Sequence, residues 1–133
     1  MNIRDGLLTA ALLLASPAAL APNAFAHGDK PAPAHGGVVA EENSEHWVEL
    51  AVVGDQVTAW VSDEANKPIP AAQLGGKATV LVGGKSQTVA LSPASANSLT
   101  GKLSAPATGQ VTAVPALTAG GKPVQVKFVV PAK

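Results

Sequence analysis

The chain has no cysteine and no tyrosine, and its 133 residues include one methionine, two tryptophans and two phenylalanines. Without cysteine there is no disulfide framework, no thiolate metal centre and no lipid-attachment site. The single methionine is Met1. A chain that loses its start therefore has no sulfur ligand, which disfavours copper(I). The formal net charge is zero, so there is no basic footprint for nucleic acid. Catalytic signatures are also missing. Gly84-Lys85-Ser86 ends like a phosphate-binding loop, but Thr79 stands where its first glycine belongs. No G-x-S-x-G elbow occurs, and no carboxylate pair has an apolar cleft around it. An enzyme is not expected.

Acid of any kind is absent after Glu64. Eight acids (Asp29, Glu41, Glu42, Glu45, Glu49, Asp55, Asp63 and Glu64) fall between residues 27 and 64 against one base, Lys30; residues 65–133 carry seven lysines. All three histidines, His27, His35 and His46, lie in the acidic half. Such a segment attracts cations, whereas the lysine half repels them. A β-fold that interleaves the two halves would equally leave both as ordinary solvated surface.

What is present begins with a short basic start (Met1 to Arg4) and an apolar run, GLLTAALLLA, over residues 6–15. The run is shorter than the roughly 20 residues that span a bilayer. Ala24-Phe25-Ala26 then places small residues where a signal peptidase reads them. The expectation is a cleaved signal peptide over residues 1–26, a mature N-terminus at His27, a periplasmic location and no membrane span after cleavage. Residues 27–37, HGDKPAPAHGG, should form an extended, mobile arm.

From residue 38 to 133 the pattern is one strand after another. HWVELAVV, QVTAWVSD, KATVLV, SQTVAL, SLTGKLS, QVTAVPAL and PVQVKFVV alternate apolar and polar positions, separated by GD, NKP, GG and AGGKP turn signals. They predict one domain, an antiparallel β-sandwich of about seven strands. Pro115 is expected at an edge or bulge, because proline cannot donate to a ladder. If Gly54-Asp55 form a type II′ turn, Val53 faces Gln56, Val52 faces Val57, Leu50 faces Ala59, Val48 faces Val61 and His46 faces Asp63. The apolar faces then coincide, which supports this register. The His46–Asp63 pair is either a surface contact or a metal ligand with its partner carboxylate. Trp47 and Trp60 share the opposite face, as a docking patch if exposed and as core if covered. For the Gly83-Gly84 hairpin, no short loop makes the two faces coincide.

A histidine made N-terminal by cleavage offers its α-amine and imidazole to one metal, and His35 and His46 can add imidazoles. Imidazole suits zinc, copper(II), nickel or cobalt. The candidate metal residues are thus His27, His35, His46 and Asp63.

The series HGGVVAEENSEHWVELAV, SDEANKPIP, KATVLVGGKSQTVALSPA, NSLTGKL and GGKPVQVKF resembles a small periplasmic β-domain. That domain occurs alone in proteobacteria and in the N-terminal region of some periplasmic adaptor subunits of cobalt-zinc-cadmium efflux systems. The likeness covers about residues 35 to 128 and maps the histidines of its HGG and following strand onto His35 and His46. The chain has no room for an adaptor's helical hairpin, lipoyl-like domain or barrel, so the resemblance does not make it the adaptor. It implies an exported, non-enzymatic protein that binds or buffers a divalent transition metal as an accessory to heavy-metal efflux, with efflux components as partners. The alternative is a metal-free domain that docks on an envelope partner.

Overall fold

The computed structural model describes residues 29–133; the expected signal peptide and His27 lie outside them. The described residues form nine β-strands: β1 (Val38–Glu42), β2 (His46–Val53), β3 (Gln56–Asp63), β4 (Leu74–Val82), β5 (Lys85–Pro93), β6 (Ser98–Lys102), β7 (Gln110–Ala119), β8 (Lys122–Gln125) and β9 (Phe128–Pro131). A 3-10 turn at Ala71–Gln73 is the one helical element among the described residues. The all-β antiparallel class is as expected from the alternation. The two strands beyond seven come from Val38–Glu42 and from the division of PVQVKFVV into β8 and β9.

The hairpin register read from the sequence is the one adopted. His46 faces Asp63, Val48 faces Val61, Leu50 faces Ala59, Val52 faces Val57 and Val53 faces Gln56. Gly54 has φ +60°, and Asp55 is not among the residues with positive φ. This combination fits a turn with its left-handed residue first. In the second hairpin Val82 faces Lys85 and Val80 faces Gln87. Contrary to the expectation that no short loop would align this hairpin, the two-residue Gly83-Gly84 loop does so, and buried Ala78 faces buried Val89; the mismatch is at Lys85 and at Gln87, whose Oε1 accepts the Ser104 N–H at 2.9 Å.

Pro115 requires a correction. It lies in β7, which pairs with β4 on one side and with β8 and β9 on the other, so it is neither at an edge nor in a bulge. Proline is tolerated there because the ladder is interrupted where its missing N–H would be needed. β8 pairs with residues 116–119 and β9 with residues 110–113, leaving Val114 and Pro115 unpaired on that side. Both segments keep one register, so PVQVKFVV is a single line of chain broken opposite the proline.

The strands run β1-β2-β3-β6-β5-β4-β7-β8, with β9 also on β7. β5 pairs with β4 and, through Ser92 and Pro93, with β6. The layers expected as a sandwich are therefore joined in one continuous sheet. It curls nearly into a barrel: Val52 bridges to Ala132, and the Lys133 N–H donates to the Val52 carbonyl at 3.0 Å. The inward face is apolar, with Phe128, Leu50 and Leu99 among its fully buried side chains. Each such side chain contributes about 1.5–3 kcal/mol on leaving water.

Candidate functional site

Two clusters flank β2, on opposite faces, because alternate residues of a strand point to opposite sides. His46, Val48, Leu50 and Val52 belong to the inward face; Trp47, Glu49 and Ala51 belong to the outward one.

The first cluster lies at one mouth of the curled sheet. The inward alternation of β1, β2 and β3 brings Glu42 opposite His46, and His46 opposite Asp63. His46 is only 6 % exposed, and its Nδ1 stands 3.4 Å from Oε2 of Glu42. Glu45, in the tight β1–β2 turn, completes a set in which one ligand atom from each of Glu42, Glu45 and His46 falls within 4.8 Å of the others. Asp63 shares the cavity of about 270 Å³ lined by Glu45, His46, Glu64 and Lys122. Its Oδ1, however, accepts the N–H groups of Ala65 and Lys67 at 2.9 and 2.8 Å, which shapes the turn after β3. The nearest carboxylate to the histidine is thus Glu42, not Asp63. Period two alone signalled it: Glu42 lies on the inward face once Val38–Glu42 is read as a strand.

The second cluster is centred on Glu49, which the sequence reading did not single out. Residues 31–37 turn back over the outward face, and Glu49 holds them. The N–H groups of Ala34, His35 and Gly37 donate to its carboxylate at 3.0, 2.9 and 2.9 Å, and Nδ1 of His35 lies 3.0 Å from Oε1. Against a carboxylate that only accepts, this Nδ1 carries the hydrogen. The His35 ring stacks on Trp60 with centroids 4.0 Å apart and planes 2° from parallel. The HGG sequence now has a local reason. Gly36 takes φ +71°, and a Cβ on Gly37 would stand 2.4 Å from the Leu50 carbonyl oxygen. Burial acts to raise the pKa of Glu49, but the hydrogen bonds from Gly37, the His35 ring, and the His35 and Ala34 backbone outweigh it, and the carboxyl is held below its ordinary value.

Of the candidate metal residues, the fold brings together His46 and Asp63 and sets His35 on the other side of the sheet, spent on Glu49 and Trp60. His27 lies outside the described residues. Trp47 is 7 % exposed and Trp60 is half-buried, so the tryptophan face is largely covered. Among the described residues no helix is long and apolar enough to cross a membrane. Compared with protein-family models, with curated proteins and with solved structures, the chain matches none of them.

Proposed function

We propose that the chain is exported behind a cleaved signal peptide and works in the periplasm as a non-enzymatic scaffold of two packed β-layers. It holds a divalent transition metal at the sheet mouth, as an accessory to heavy-metal efflux. The observation that carries this reading is the convergence of Glu42, Glu45 and His46 within 4.8 Å on one hairpin. One imidazole and two carboxylates suit zinc, cobalt or nickel, all of which accept mixed nitrogen and oxygen ligands. Ligands fixed by strand pairing need little ordering, unlike an arm that has to close on the ion. Asp63 stands across from His46 as a further carboxylate.

The test is titration calorimetry of the mature protein with zinc, cobalt and nickel. His46→Ala should weaken binding at least tenfold, or about 1.4 kcal/mol, and His35→Ala should leave it within about threefold. The reading fails if the intact protein binds none of these ions at micromolar concentration, or if His46→Ala has no effect.

A further inference from the structure

The outward face of β2 and β3 carries both tryptophans of the chain, yet it is not open. Pro31, Ala32 and Ala34 border a cavity of about 230 Å³ whose other walls include Trp47, Trp60 and Pro68. The strap over it is the Lys-Pro-Ala-Pro-Ala-His stretch of residues 30–35. Three of the four bonds that Glu49 makes to it and to the Gly37 that follows come from backbone N–H groups. Recognition of this kind reads an extended backbone and tolerates many side chains. Specificity is left to the ring on Trp60 and to the small and proline residues along the cavity.

We propose that this face is a docking groove for an extended, proline-bearing segment of a partner protein, and that residues 31–37 are its intramolecular occupant. The inference is independent of any metal. The strap itself displays the chemistry the groove accepts: Pro31 and two alanines beside the tryptophans, a planar ring stacked on Trp60, and the amides of Ala34, His35 and Gly37 on Glu49. The cavity between strap and sheet adds room for bulkier side chains. Because the strap runs straight into β1 at Val38, it acts at an effective concentration of millimolar or above. A partner segment therefore displaces it only when delivered at comparable local concentration. The strap thus works as a selectivity gate as well as a cover.

The test uses the full chain with the strap unlatched by Ala34→Pro and His35→Ala. These changes remove one N–H donor, the ring bond and the stack while leaving β1–β9 untouched. The probe is a synthetic peptide copying residues 29–37, followed by tryptophan fluorescence, since Trp47 and Trp60 are the two tryptophans present. The unlatched chain should bind the peptide saturably with a Kd of about 0.1 mM or tighter, the wild type more weakly by about tenfold or more against a strap at millimolar effective concentration, and Glu49→Gln in the unlatched chain should abolish binding. Absence of saturable binding to the unlatched chain, equal binding to the wild type, or binding that survives Glu49→Gln would each overturn the proposal. A concentration-dependent dimer of the unlatched chain would assign the groove to a second copy instead of a partner. Should circular dichroism show the double variant unfolded, His35→Ala alone takes its place with the same outcomes.

Discussion

At the scale of single residues, Glu49 decides how the start of the described chain lies. Its side chain is buried among donors, and a carboxylate in that position is stable only because each oxygen receives two of them. Replacement by glutamine turns one acceptor oxygen into an NH₂ group that faces donors. Glu49→Gln should therefore cost about 2 kcal/mol in urea unfolding at neutral pH. The sign of the pH dependence follows from the lowered pKa. The Glu49 contribution is fully present above the ordinary carboxylate range and is lost as pH falls through the lowered folded value. The difference between wild type and Glu49→Gln should thus hold steady from neutral pH down to about pH 5 and shrink towards pH 3. A difference that persists undiminished in acid would count against the carboxylate. Glu49 was hard to read from sequence because, in a strand of period two, an acid on the outward face looks like ordinary solvated surface. Its companions were the signal. Trp47 beside it on the same face and Trp60 across from it mark a surface that something covers, and a carboxylate among them becomes an anchor.

At the scale of elements, alternation carried most of the information. It fixed the β2–β3 register residue by residue, because only one pairing aligns Val48, Leu50 and Val52 with Val61, Ala59 and Val57. The same logic separates neighbours in β9. Phe128 is 1 % exposed and Val129 is 46 % exposed. Phe128→Ala should destabilise by about 3–5 kcal/mol, whereas Val129→Thr should stay within about 0.5 kcal/mol. Chemical denaturation of the two variants checks both, and similar losses would mean the register is wrong. Alternation gave no warning about Pro115, since whether a proline is tolerated depends on the strand across from it. Nor could it find the join through β5, where one strand leaves β4 and meets β6. Both are tertiary facts that a pattern along the chain does not contain.

At the scale of the whole molecule, the acidic and lysine halves interleave at the sheet mouth. Lys122 comes from the half without acids, yet it lines the same cavity as Glu45, Asp63 and Glu64. Its positive charge borders the cavity that Glu45 and His46 of the proposed metal site also line. Lys122→Ala should therefore tighten zinc binding severalfold in calorimetry, most clearly at low salt, where such charges are least screened. Unchanged or weaker binding would place the ion elsewhere. The candidate histidines divide at this scale too. Their positions in the sequence allowed His35 and His46 to share an ion, but the fold-back of the strap sends His35 across the sheet, a path set by Glu49 and Gly37 and not by spacing.

The closure of the curled sheet also bears on how the chain reaches its folded state. Val52 and Ala132 are joined across 80 residues of chain, and Lys133 receives the Gly54 N–H while its ammonium donates to the Gly36 carbonyl. The turn between β2 and β3 and the bend under the strap thus share a partner that emerges from the ribosome only after nine strands have been made. Contacts so distant in sequence form slowly, because the long loop must close before they contribute. During synthesis the leading half waits without its final tie. An unfinished chain of this kind would stay threadable, as the export proposed above requires.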